Sequence, residues 1–349
     1  MYKFLKPSKD TSIYKGAITS NTGLDPILEV GKFLSGSDNF NIARSLIQFD
    51  FSSLVSQSIE TAHLILRVDQ VDEIPLDYTI YAYPISGSWE MGTGRIDYDK
   101  NTYGVTWKYR DANSLTVWGS GVITGSSFST FDDGLGGVWF VAPEASQSFN
   151  YQSGDTELNV IDAVTGWLSG SIPNNGLIIK HSNAADLDQT DYGKLQFFSK
   201  ETHTIHSPRL RVGINDFTYS TGSLMNLNSA YQLAVVPKLK TNYKVNTKNR
   251  IEIVGRELYP TNIYNKAHQY KQRALPKISY YEIRDYLTDT IIIPFSDYSR
   301  ISCNTTNINY IDLDFTDWEI NRDYIINFKI ERNGAIEYFN DNYKFRLIN

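Results

Sequence analysis

Arg44-Ser45-Leu46-Ile47-Gln48-Phe49-Asp50-Phe51-Ser52-Ser53-Leu54 is the stretch whose reading decides the fold. Ile47, Phe49 and Phe51 are apolar, while Arg44, Gln48 and Asp50 fall on the other side. A period of two over a β-branched and aromatic run predicts a half-buried strand. Ala62-His63-Leu64-Ile65-Leu66-Arg67-Val68 repeats the pattern and turns Ala62, Leu64, Leu66 and Val68 inward. The two runs locate a core. Neither names a chemistry.

At 349 residues the chain is long for a single core, and two domains are expected. With 41% hydrophobic and 21% charged residues and no long run of one sign, the composition is globular. No apolar stretch approaches the roughly 20 residues that span a bilayer, and no secretion signal is visible at the N-terminus. Cys303 is the single cysteine, so no intrachain disulfide can form, and synthesis in a reducing cytoplasm is expected. The net charge of −6 is uneven: residues 1–214 carry −8 and residues 215–349 carry +2. Neither part has the basic stripe of a phosphate binder, so nucleic acid and membrane are not expected partners.

Tyr78–Ile85 reads as another strand, with Pro84 at an edge or end. Residues 86–156 are glycine-rich and hold Trp89, Trp107, Trp118 and Trp139. Residues 162–169 predict a helix, with Val164, Trp167 and Leu168 on one side, Asp162 as cap and Gly170 as stop. Asn174-Asn175-Gly176 turns the chain into a strand over 177–180, and strands follow at 195–199 and 208–214. The polar stretch 215–230 is the expected linker. Beyond it, short strands recur around Ile251, Tyr281, Ile291, Ile311, Tyr324 and Tyr343, with Asn333-Gly334 as a hairpin turn. The predicted class is all-β. A jelly-roll-type sandwich with one short helix spans 1–214, and an immunoglobulin-like sandwich spans 231–349.

Several phrases together resemble the DNRLRE family of β-sandwich domains, which look like carbohydrate-binding modules. They include Asp10-Thr11, Arg44 to Asp50, Ala62 to Leu66, Ser88-Trp89-Glu90, Gly104-Val105-Thr106-Trp107, Gly136-Gly137-Val138-Trp139 and Ser207-Pro208-Arg209-Leu210. The family's Ser-Arg-Glu signature stands here as Ser199-Lys200-Glu201, which keeps the charges and loses bidentate arginine contact. Similar domains occur in phage virion proteins. Residues 231–349, through Ile253 to Pro260, Ser279 to Ile283, Ile293-Pro294-Phe295 and Arg322-Asp323-Tyr324, resemble a module of structural proteins in large tailed phages. These resemblances imply a virion component of a neck, tail or appendage, made in the host cytoplasm. Its partners would be other virion proteins and copies of itself. The alternative they imply is a glycan-binding adhesin that contacts a host surface polysaccharide.

No catalytic residues are expected, because no histidine is paired in sequence with a candidate nucleophile. His203 and His206 lie in or beside a strand, where a spacing of three points them to opposite faces. Asp132-Asp133 beside Gly134 reads as a turn rather than a glycosidase pair. Carbohydrate-module-like sandwiches often hold a structural Ca²⁺, for which Asp97, Asp99, Asp186 and Asp188 are the candidate ligands against a default reading as solvated loop acids, and no other cofactor is expected. Residues 97–108 depart from the EF-hand loop, carrying Thr102 and Lys108 where Gly and Glu are required. Trp89, Trp107 and Trp139 lie in the family phrases and are expected in the core. Trp118 lies outside them and is expected, with Tyr98 and Tyr103, to be an exposed glycan or partner contact.

Overall fold

The computed structural model describes residues 1–34, 40–54, 57–72, 77–96, 103–119, 128–131, 135–150, 155–222, 224, 232–259, 273–304 and 308–349. The fold is all-β, with two short α-helices among the described residues, Ile161–Ser169 and Asn183–Leu187. The chain divides into two compact units. One is Leu5–Val212; the other joins Met1–Phe4 to Gly213–Asn349.

In the Leu5–Val212 unit the Phe40–Phe49 strand is central. One edge pairs with Leu177–His181, and the other is shared between Ile27–Leu34 and Pro7–Tyr14. The sheet continues outward through Tyr78–Pro84 to Ala145–Phe149 on one side, and through Gly193–Phe198 to Val68–Asp72 on the other. A smaller sheet holds Arg209–Ile214, Ile59–Leu66 and Thr156–Asn159. Its Ala62, Leu64, Leu66, Leu158 and Leu210 are fully buried. Tyr78–Pro84 is flanked on both sides, so Pro84 marks a strand end and not an edge.

The period-two reading of Phe40–Phe49 finds its apolar side, since Ile47 and Phe49 are buried. On its other side Ile42, Arg44 and Leu46 are buried too, which corrects the half-buried expectation there, while Gln48 is half-buried and Asp50 exposed. Ile42 and Leu46 pack in a second cluster with Trp89, Trp107, Trp118, Trp139 and Ile178. The four indoles of the glycine-rich stretch therefore form a lid over the sheet. Each buried indole removes roughly 200 Å² from water, about 5 kcal/mol before ordering costs. Close packing makes glycine obligatory at Gly136, where φ is 74° and a Cβ would lie 2.6 Å from Trp107 and 2.7 Å from Arg44 Nη1.

The helix Ile161–Ser169 buries Val164 and Trp167 and sets the Trp167 ring 5.5 Å from Phe51. Gly170 ends it at φ 74°, as expected. The cap is Val160, without a side-chain bond; Asp162 sits in the first turn, where its charge suits the helix dipole.

The second unit is a sandwich of two sheets. Its strands in chain order are Leu233–Pro237, Asn242–Lys244, Lys248–Glu257, Ser279–Asp285, Ile291–Ile293, Ser302–Cys303, Asn309–Asp314, Asp323–Arg332 and Ala335–Ile348. One sheet runs first, third, seventh, sixth, and the other runs second, ninth, eighth, fourth, fifth. The second and ninth, Asn242–Lys244 and Ala335–Ile348, run parallel; the other pairs are antiparallel. This is the immunoglobulin strand order, with the first strand split between the sheets. The Tyr324 hydroxyl, near the start of the eighth strand, donates to Glu319 O at 3.3 Å, as in the tyrosine corner of such folds. Asn333 and Gly334, at φ 51° and 76°, form the two-residue turn between Arg332 and Ala335.

Two features of this unit lie outside the sequence reading. Tyr2 and Phe4 belong to its core, with Phe4 edge-on to Trp318 at 5.7 Å. The start of the expected linker is tied down: Cys303 N–H donates to Thr218 O at 3.0 Å, and Ser220 N–H donates to Cys303 O at 2.9 Å. Residues 223 and 225–230 of that linker lie outside the described residues.

Candidate functional site

The densest constellation of charge lies beneath the indole lid. Arg44 and Lys180 come alongside one another one step beyond the Ile179–Ser45 register pair. The short helix Asn183–Leu187, capped by the Ser182 side chain on Ala185 N–H, lowers Asp186 between them. Asp186 Oδ2 lies 2.8 Å from both Arg44 Nη2 and Lys180 Nζ, and all three side chains are 0% exposed. Arg44 also donates to Gly136 O and lies 4.6 Å from the Trp107 ring. Lys180 donates further to His181 O and Asn183 Oδ1. Burial and then the Arg44 charge pull the Lys180 ammonium down to about 8, with Asp186 opposing them.

Next along, Lys32 donates to Ala185 O at 2.7 Å and to the backbone oxygen of Asp188, and lies 2.8 Å from Asp188 Oδ1. Burial alone would raise the Asp188 carboxyl; hydrogen bonds from Lys32, Tyr192 and Thr190 outweigh it and hold the group at about 2. His181 is buried between Tyr78 and Tyr192, its ring nitrogens without partners, and burial pulls it down to about 4. The cluster is a set of cations from the sheet neutralised by carboxylates from one loop. With its central groups sealed from solvent, it can lock the loop to the sheet and cannot meet a substrate.

This geometry corrects two sequence expectations. Asp186 and Asp188 are no open acidic loop: Asp186 Oδ2 holds both Arg44 and Lys180, and Asp188 Oδ1 holds Lys32. Three cationic side chains gathered on the pair do not fit a Ca²⁺, although Asp186 Oδ1 has no partner. Trp118 is 1% exposed and donates its indole N–H to Thr106 O at 3.0 Å, so it is a core residue and no surface contact. Trp89, Trp107 and Trp139 are buried as expected. Tyr103 is exposed; Tyr98, Asp97, Asp99, Asp132 and Asp133 lie outside the described residues. His203 and His206 occupy a loop, not a strand, and the His206 ring lies 5.4 Å from Phe198. No group of three or more metal-ligating side chains is gathered among the described residues.

The sequence reading missed an exposed apolar end on the second unit. Arg322 grips Asp285 with two bonds of 2.8 and 2.9 Å, and Tyr286 N–H donates to Asp323 O at 2.9 Å. These bonds lace the turn after the Ser279–Asp285 strand to the loop before Asp323–Arg332. On the laced end, Leu287 is 74% exposed, with Tyr286 and Ile320 each 43%. Lys344 Nζ lies 3.8 Å from the centre of the Tyr286 ring. Apolar side chains held outward by a braced backbone are what a protein interface needs. The signal was present as Tyr-Leu and Ile in turn segments, where solvated loops carry polar residues. No family model matches the chain, and no curated protein matches it.

Proposed function

We propose that the chain is a non-enzymatic structural protein of a tailed-phage virion, a neck, tail or appendage component that acts through protein–protein interfaces. The observation that carries this reading is the braced apolar end at Tyr286, Leu287 and Ile320. The burial of all six tryptophans adds to it, since it leaves no indole as a sugar platform and removes Trp118 as the basis for a glycan reading of the first unit. The resemblance to phage sandwich modules supplies the setting. A repeated subunit satisfies such a surface by docking on a neighbouring copy or on another ring component. The test is the protein composition of purified particles, together with polysaccharide-degradation assays on the isolated chain. Stoichiometric presence without turnover supports the reading, and turnover of a polysaccharide overturns it.

A further inference from the structure

The sheet of the second unit that ends in Ala335–Ile348 breaks its own regularity at one place. Ile326 pairs with Tyr343 and Phe328 with Phe339, so Asn327 alone faces Asn340-Asp341-Asn342. Two extra residues are thus bulged out of the ladder, and Asn342 adopts φ 57°, a left-handed conformation that asparagine tolerates better than most side chains. Bulges of this kind re-aim side chains and gather beside binding sites.

The bulge borders a cleft of about 480 Å³, within the roughly 300–1,000 Å³ range of small-ligand sites. Ile325 lines it, together with Asn327, Asn340 and Asn342. Phe295 and Tyr338 add an aromatic wall, their ring centroids 6.0 Å apart and edge-on, with Tyr338 60% exposed. Glu282 is 4% exposed and accepts from Arg284 Nε at 2.6 Å and Asn327 Nδ2 at 3.1 Å. Arg284 is tied in turn to Asp289 at 3.1 Å. The cleft is therefore preorganised on the sheet side. Asn340 and Asn342, by contrast, are exposed at the edge of the cleft, and their carboxamides bond no described side chain or backbone group, so their donors and acceptors are open to a ligand. A smaller cleft between Trp89 and Arg110 lacks this property, because Arg110 bonds Ser88 and Asp111 bonds Ser114 within it.

We propose that this cleft binds a neutral pyranose unit of an oligosaccharide. Tyr338 would stack on the sugar's C–H face, while Asn340, Asn342 and the Glu282–Arg284–Asn327 set bond adjacent hydroxyls. A carboxamide presents one donor and one acceptor side by side, which matches a pair of vicinal hydroxyls. Glu282 and Asp289 against a single Arg284 leave the lining net negative, which selects against uronic, sialic or phosphorylated sugars. The proposal rests on the second unit alone, so its failure leaves the assembly reading standing.

The test is calorimetry on the full chain with neutral gluco-, galacto- and manno-configured hexasaccharides, with hexagalacturonate and sialyl-lactose as acidic probes. A neutral probe is expected to bind. Tyr338→Ala should weaken it about tenfold or more, and Tyr338→Phe should retain most of it by keeping the ring. Asn342→Gly keeps the backbone conformation, removes the carboxamide and should weaken binding severalfold. Thermal melts of all variants matching the parent exclude unfolding as the cause. No binding of any neutral probe, a preference for an acidic one, or binding indifferent to both Tyr338→Ala and Asn342→Gly would overturn the assignment.

Discussion

Arg44 and Asp186 meet at 2.8 Å with neither side chain exposed to solvent, and the Arg44 guanidinium lies against Trp107 and Trp139. A buried pair of this kind adds little over an apolar isostere, but removing one partner leaves an uncompensated charge. Here the loss is doubled, since Asp186 neutralises Lys180 as well. Asp186→Ala is expected to cost about 3–5 kcal/mol of unfolding free energy. Asp186→Asn, which keeps the shape and loses the charge, should also destabilise. Urea unfolding followed by tryptophan fluorescence checks both, because the indoles cover the same cluster.

Asp10 gives a pH dependence of opposite sense to that of an ordinary ion-paired carboxylate. It is 1% exposed; Oδ2 accepts from Lys200 N–H at 2.7 Å, and Oδ1 has no partner. Burial pushes its pKa up to about 7, with the Lys200 backbone bond pulling the other way. The folded chain therefore holds the proton between about pH 4 and pH 7 while the unfolded chain releases it. This contribution is fully present below pH 4 and is lost as pH rises through 7. Asp10→Asn is expected to be more stable than the parent at pH 8 by on the order of 2 kcal/mol. The difference should close towards pH 4, and melts across that range measure it.

Phe4 is 3% exposed and packs edge-on to Trp318, in the core of the unit that resumes at Gly213. Phe4→Ala should cost that unit about 3–5 kcal/mol, as aromatic truncation in a core does. Hydrogen exchange resolved by segment is the measurement: protection should fall in Asp323–Arg332 and remain in Phe40–Phe49.

Leu287 is exposed and held on a braced turn, so Leu287→Asp should leave stability within about 0.5 kcal/mol. Incorporation into particles, or self-association read by sedimentation, should be lost. Normal assembly by this variant would remove the end of the second unit from the account.

The strands and hairpin turns were legible because their signals are local. The alternation at Ile47 and Phe49, the Asn333-Gly334 turn and the stop at Gly170 each depend on neighbours in sequence. Gly176 is a local signal with a long-range reason: at φ 84°, a Cβ there would lie 2.2 Å from Ile47 O. What escaped was set by contacts across the chain. Arg44 reads as a solvent-side residue until the indole stretch covers it, and Trp118 reads as exposed until its N–H finds Thr106 O. Asp186 and Asp188 look like a loose acidic pair because two of their three counterions, Lys32 and Arg44, come from strands more than a hundred residues earlier, and only Lys180 is near in sequence. Tyr2 and Phe4 carry no mark that they serve the unit farthest from them in sequence.

The central claim is that the chain works as a repeated part of a particle. The most direct measurement is an electron-microscopic reconstruction of phage particles purified from the source of the chain. The expected result is density for both units in symmetry-related copies, with Tyr286, Leu287 and Ile320 buried in an interface of more than about 1,000 Å². Particles that lack the chain, or that hold it with this end facing solvent in every copy, would contradict the account.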